Sequence, residues 1–377
     1  MKNLNNRLMA SGAVAGVLAL TLSACGADAT ETTPAATGGS DNTETAAASG
    51  AIAGAGASSQ EKAMGGWIAT ATSALPDLTV TYEAVGSGGG REQFLGGGVQ
   101  FAGTDAALKP EEKEAAVERC YGGEAVQLPL YISPIAVVYN LPSVDAANLN
   151  MSAETIAKIF NGDITKWNDD AIAAENEGVD LPDLDIIPVN RSDESGTTEN
   201  FTEYLVDVAG DAWPHEASGD WPRSGTQSGN GTSGVIDTVT QTEGAITYAD
   251  ASRAGSLGTA ALKVGEEYVP FSAEAAAAVV DASPRAEDAS ATNIVVELDR
   301  ATTASGAYPM VLISYSVACS VYETEADANN VKAFLTYVAS EAGQAVAAEA
   351  DVAGSAPISA ALRSEVQAAI DSISVAG

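Results

Sequence analysis

The chain has 377 residues, with 51 Asp plus Glu against 17 Lys plus Arg for a net charge of -34, and it carries one His and three Cys. At that length, and with 46% hydrophobic residues, it has material for two domains with real cores. Coulomb repulsion excludes a general nucleic-acid or anionic-membrane surface, and a single His argues against a His-rich metal site or a multi-His enzyme.

Met1 to Arg7 is polar, with Lys2 and Arg7 as its charges, and Leu8 to Leu22 is small and apolar. That run has the length of a signal-peptide core and is too short to span a bilayer. It ends in Leu22-Ser23-Ala24-Cys25, which resembles the lipobox of bacterial lipoproteins. The resemblance implies cleavage after residue 24 and a diacylglycerol on the sulfur of Cys25; a plain secretory signal is the alternative. Acyl chains added in pairs anchor firmly where one is marginal. Cleavage removes Lys2 and Arg7 and no acid, so 15 basic residues face 51 acidic ones and the net becomes -36. Residues 25–50, Cys25 followed by Ala, Thr, Gly, Ser, Asp and Glu, read as a flexible tether.

Beyond the tether, short apolar strands alternate with helical spacing. Leu78 to Tyr82, Val99 to Phe101, Ile135 to Tyr139, Ile186 to Val189, Ile246 to Tyr248 and Met310 to Tyr315 read as strands. Met64, Trp67 and Ile68, then Ile156, Ile159 and Phe160, then Val331, Phe334, Leu335 and Val338 keep helical spacing. The alternation predicts an α/β class with mainly parallel sheets. Cys120 and Cys319, in an exported chain, are expected to pair; two buried free thiols are the alternative.

One pattern recurs: a strand, a Gly/Ser/Thr-rich turn, then a helix. It occurs at Gly54 to Ser59, at Gly86 to Gly90, at Arg191 to Thr198, and again at Ser228 to Ser233. Helix N-termini present free N–H groups and the positive end of the dipole, which suits an oxyanion, and Ser and Thr hydroxyls add donors. Any one of these turns is also how an ordinary helix begins. Ser59 stands where a dinucleotide fingerprint needs its third Gly, and no Gly-x4-Gly-Lys-Ser/Thr occurs. Arg191 offers a planar fork to a tetrahedral anion, Asp193 is placed to hold it, and Ser195, Gly196 and Thr197 follow as donors. Asp105, after a short strand, reads by itself as a turn or cap residue; beside an anion site, its carboxylate can only accept hydrogen bonds. It therefore welcomes an oxyanion that still carries a proton and opposes one that does not.

Gly54-Ala55-Gly56-Ala57-Ser58-Ser59, Gly86-Ser87-Gly88-Gly89-Gly90, Ala102-Gly103-Thr104-Asp105 and Arg191-Ser192-Asp193-Glu194-Ser195-Gly196-Thr197-Thr198 together resemble the phosphate-binding proteins of the bacterial phosphate-specific ABC transporter. Ile159 to Asn168 resembles the stretch between that family's second and third loops, read here as a helix end and turn. The resemblance implies a two-lobed periplasmic-binding-protein-like fold with a ligand cleft between the lobes. Its first lobe would be built from residues 51–135 and 312–377, and its second from 136–311. It implies phosphate contacts from Ser58, Ser59, Ser87, Gly88, Asp105, Arg191, Asp193, Ser195, Gly196 and Thr197. The implied protein is a lipid-anchored extracytoplasmic monomer that hands inorganic phosphate to ABC permease subunits, with no cofactor, no metal, no nucleic acid and no bond broken. Two positions depart from the family. Gly88 stands where a Ser donor is common, and Glu194 replaces a Gly, its side chain expected to point to solvent.

Competing readings keep the same cradle. A secreted phosphate-ester hydrolase needs a nucleophile with a base, or clustered metal ligands, and one His supplies neither. A relative binding sulfate or molybdate would set an unprotonated dianion against Asp105. His215 reads as incidental, the Asn200 and Asn230 sequons as unused, and Glu111, Glu112 and Glu114 as a solvated helix face.

Overall fold

The computed structural model describes residues 48–377. The expected signal peptide, Cys25 and nearly all of the tether lie outside these residues. In chain order the elements are β1 (Gly50–Gly56), α1 (Glu61–Ala74), β2 (Leu78–Glu83), α2 (Ser87–Leu95), β3 (Phe101–Thr104), α3 (Pro110–Arg119) and β4 (Ala125–Tyr139). Then come β5 (Leu149–Met151), α4 (Ala153–Asn161), α5 (Asp170–Glu175), β6 (Ile187–Arg191), α6 (Gly196–Ala209), β7 (Gln227–Gly229), α7 (Gly231–Gln241) and β8 (Ala245–Asp250). The remainder is β9 (Gly258–Val264), β10 (Glu267–Val269), α8 (Ala273–Ala282), β11 (Val311–Cys319), β12 (Val321–Tyr322), α9 (Glu325–Ala339), α10 (Glu341–Ala348), α11 (Ala360–Asp371) and β13 (Ser374–Val375). No helix among them is long and apolar enough to cross a membrane.

The strands form one curled path, β2-β1-β3-β11-β4-β8-β6-β7, with β9, β10 and β5 branching from it. Helices cover the sheet, which makes a two-lobed α/β fold. The expectation of mainly parallel sheets needs correction. β1 runs parallel to β2 and β3, and β6 parallel to β7 and β8, but β11 is antiparallel to both β3 and β4, and β4 to β8. The long strand β4 runs through both halves of the sheet, and β11 returns against its first part. β4 pairs with β11 over Ala125–Pro134 and with β8 over Ile135–Tyr139, so one strand belongs to both halves.

Local sequence explains the helix ends. Ser152 caps α4, its hydroxyl accepting from the Thr155 amide at 3.2 Å. Gly162 ends the same helix at φ +83°, a left-handed conformation that costs glycine no Cβ clash. Trp167 beyond that turn is fully buried and donates its indole N–H to Gly244 O at 3.0 Å. In α9, Val331, Phe334, Leu335 and Val338 all face the core, as their spacing predicts. Cys120, after α3, is joined to Cys319 at the end of β11, with S–S 2.05 Å and Cα–Cα 5.1 Å.

Candidate functional site

Four helices start at one place. The turn after β1 carries Ser58 and Ser59 into α1; α2 opens at Ser87, α6 at Gly196 and α7 at Gly231. Asp105 follows β3 and is 3% exposed. Its Oδ1 accepts from the Ser59 hydroxyl at 2.7 Å and its Oδ2 from the Thr197 hydroxyl at 2.8 Å. Its backbone N–H donates to Ser87 Oγ at 3.1 Å, and its carbonyl accepts from Asn200 Nδ2 at 2.7 Å. A Cβ placed on Gly196 would lie 2.7 Å from both the Asp105 Cβ and Ser87 Oγ, so only glycine allows these chains to meet. Burial raises the Asp105 pKa above the usual carboxylate value; the Ser59 and Thr197 hydroxyls and the charge of Arg191 pull against that rise.

Arg191, at the end of β6, is 3% exposed. Its Nε donates to Asp193 Oδ1 at 2.8 Å, and its Nη2 pairs with Asp193 Oδ2. The fork is thereby fixed with its Nη1 edge left for another acceptor. Burial opposes the Asp193 charge, but the Arg191 fork and the Gly231 amide, 2.9 Å from Oδ1, hold its pKa below the usual value. Ser195 caps α6: its hydroxyl accepts from the Thr198 amide at 3.2 Å while its own amide goes to Gly219 O at 3.0 Å. Its hydroxyl proton remains to be donated.

The structure therefore brings Ser59, Ser87, Asp105, Gly196 and Thr197 into direct contact and holds Arg191 with Asp193. Ser58 joins them through a partner that the sequence reading left among generic helix starts. The Thr232 amide donates to Ser58 Oγ at 3.0 Å, and the two hydroxyls lie 3.0 Å apart. The signal for this was present, in the Gly231-Thr232 start of α7 after a Gly/Ser turn.

Arg91 was not singled out at all. It is 2% exposed, and its Nε donates to Glu112 at 2.9 Å, its Nη1 to Thr104 Oγ1 at 3.0 Å and its Nη2 to Glu194 at 2.8 Å. Two expectations fall with it. Glu194 turns inward to Arg91 rather than to solvent, because a buried guanidinium needs a counter-charge. Glu112 is likewise more than a solvated face, since it also caps α3 through the Lys109 amide at 2.8 Å. Gly88 faces the Glu194 carboxylate. Asn200 is buried, with Nδ2 bonded to Asp105 O and Gly196 O, which closes its sequon to modification. Among the described residues the His215 ring has one hydrogen-bond partner, Asn161, at 3.1 Å.

Two recesses border the cluster. One, of about 460 Å³, is lined by Asp105, Glu199, Asn200, Glu203 and Arg300, and the other, of about 300 Å³, by Arg191, Asp193, Trp221 and Arg223. Among the described residues no group of three or more His, Cys, Asp or Glu is placed to hold a metal.

Two lobes sharing crossover strands, with helix N-termini converging on a buried carboxylate and an arginine fork, are the architecture of a two-lobed solute-binding protein. A family model described as a PBP superfamily domain matches residues 41–342. Phosphate-binding protein PstS2 of Mycobacterium bovis is 32% identical over 376 residues, spanning 97% of this chain and 99% of the relative. Phosphate-binding protein PstS 3 of Mycobacterium leprae is 36% identical over 337 residues, spanning 86% and 89%. The chain belongs to the PBP superfamily and, within it, to the PstS phosphate-binding proteins. Among solved structures, a high affinity periplasmic phosphate-binding protein (PfluDING) bound with phosphate shares the fold with a TM-score of 0.69 at 20% identity, covering 85% of this chain and 93% of that one. A putative phosphate ABC transporter substrate-binding protein from Clostridium perfringens matches with a TM-score of 0.57 at 18% identity, covering 81% and 99%.

Proposed function

We propose that this protein binds inorganic phosphate outside the cell and delivers it to an ABC permease without breaking a bond. The observation that carries the reading is the Asp105 carboxylate, buried among donors and set near a fixed arginine fork. Monoprotonated phosphate has the one proton that Asp105 accepts, and its remaining oxygens suit the Arg191 Nη1 edge, the hydroxyls of Ser58 and Ser195, those of Ser59 and Thr197 once they turn from Asp105 to the ligand, and the helix-start amides near Ser87, Gly88 and Gly196. Asp193 holds the fork in plane. The phosphate-binding names of the relatives support the same ligand.

In this reading residues 51–135 and 312–377 form the first lobe and 136–311 the second. Ligand bridging Asp105 and Arg191 favours the closed form, which a permease then recognises. The chain acts as a monomer held to the membrane by lipid on Cys25 after removal of residues 1–24. The acidic tether keeps the domain off an anionic leaflet.

Calorimetric titration of the full chain with phosphate and with sulfate tests this. The expected result is phosphate binding at micromolar Kd or tighter with sulfate weaker by at least about a hundredfold, since an unprotonated dianion leaves Asp105 opposed. Asp105→Asn, whose amide also offers donors, should narrow that ratio by about tenfold or more. Equal affinities in the unaltered chain would sink the reading.

A further inference from the structure

The turn that opens α2 and the turn before α6 meet through two carboxylates and two glycines. A Cβ on Gly86 would lie 2.5 Å from Asp193 Oδ2, and one on Gly88 only 2.0 Å from Glu194 Oε2 and 2.7 Å from its Cδ. Each acid of the Asp193-Glu194 pair thus rests on one glycine of the Gly86-Ser87-Gly88 turn. Asp193 is occupied by Arg191, on its own side. Glu194 has no such partner nearby on its own side: its Oε1 takes Arg91 Nη2 at 2.8 Å and has Lys109 Nζ at 4.0 Å, while its Oε2 is buried with no hydrogen-bond partner among the described residues. Arg91 is held in turn by Glu112 and Thr104 and has one arm left to reach across.

We infer that Arg91 and Glu194 form a latch between the lobes that sets how readily the cleft closes, and that glycine at position 88 is what admits it. The inference rests on the phosphate-binding reading and adds to it a pair of residues that control affinity by positioning, without touching the ligand. The chemistry follows from burial. Arg91 is 2% exposed when its partner is present, so opening the cleft separates a desolvated guanidinium from one of its two counter-charges. The latch therefore favours the closed form with or without ligand, and phosphate binding draws on closure already partly offset. A side chain at position 88 would collide with the Glu194 carboxylate as the lobes meet. The glycine at 88 makes room for the acid at 194. With serine at 88, the glutamate at 194 must leave this position for the cleft to close as it does here.

The test is a cycle of Gly88→Ser, Glu194→Gly and the double variant, titrated with inorganic phosphate. Gly88→Ser alone should weaken binding by about tenfold or more, and the double variant should return to within about threefold of Glu194→Gly alone. Equal losses from Gly88→Ser in both backgrounds would overturn the latch. A second measurement does not need ligand. Small-angle scattering of the unliganded chain should show a larger radius of gyration for Glu194→Gln and Arg91→Gln than for the unaltered protein, and unchanged radii would also overturn it. If the unaltered chain bound no phosphate, the binding reading would fail, while the scattering comparison would still decide the latch.

Discussion

Asp250 closes β8 with 0% exposure, at the point where β4 changes partners. Its two oxygens lie 3.1 Å from the Tyr131 hydroxyl, and Oδ1 also accepts from the Ser252 amide at 3.0 Å. Burial pushes its pKa up to about 6, against the pull of the Ser252, Ser133 and Tyr131 donors. The folded chain holds this proton more tightly than the unfolded chain does. The stabilising contribution is thus full below the ordinary Asp value of about 3.9 and is lost as pH rises through about 6. Asp250→Asn cannot ionise, so its stability should lack that dependence. Denaturant midpoints at pH 4 and pH 7 should show the gap between the unaltered chain and the variant changing by on the order of 2–3 kcal/mol; parallel profiles would contradict it. At the same scale Ser59, Asp105, Arg191 and Thr197 could be singled out in the sequence because each lies in a strand-turn segment of a recognisable pattern, although their contacts with one another are long-range. Arg91 was not legible, because an arginine after three glycines announces no partner.

Among the elements, α4 shows how much one cap carries. Ser152 accepts from the Thr155 amide, and both its own N–H and its hydroxyl bond Glu175, at 2.6 and 2.7 Å, tying α4 to the end of α5. Ser152→Ala should cost about 1–2 kcal/mol in denaturant unfolding with phosphate affinity unchanged. A loss of less than a few tenths would mean that Glu175 and Thr155 close the gap unaided. Element boundaries were read unevenly for a physical reason. α9 announced itself because one face of a helix repeats every three or four residues. β4 was read only over Ile135–Tyr139, although it begins at Ala125, because Pro129 and Pro134 interrupt the pattern. Both prolines sit in the part paired with β11, and the register slips beside Pro129. The antiparallel centre of the sheet escaped for a related reason. A local strand pattern carries no information about direction relative to a partner some 180 residues away.

For the whole molecule, the disulfide is the longest covalent constraint, joining positions 199 residues apart. Closing so long a loop restricts the unfolded chain, so reduction, or Cys120→Ser with Cys319→Ser, should lower stability by about 2–5 kcal/mol. Matched denaturant curves with and without reductant measure this, and coincident curves would show that burial of the two sulfurs suffices. The net charge of -34 bears on the surface and not on the cleft. Outer charges are screened beyond about 8–10 Å, whereas the hydroxyls, amides and guanidinium act at hydrogen-bond distance.

By itself the sequence determined the α/β class of the fold and the four helix starts, since periodicity and turn composition are properties of contiguous residues. Tertiary structure alone decided that Thr232 meets Ser58 across 174 residues and that Glu194 turns to Arg91 across 103. Which side chains face one another there depends on how segments far apart in the chain come together, and no local pattern in either segment encodes that approach.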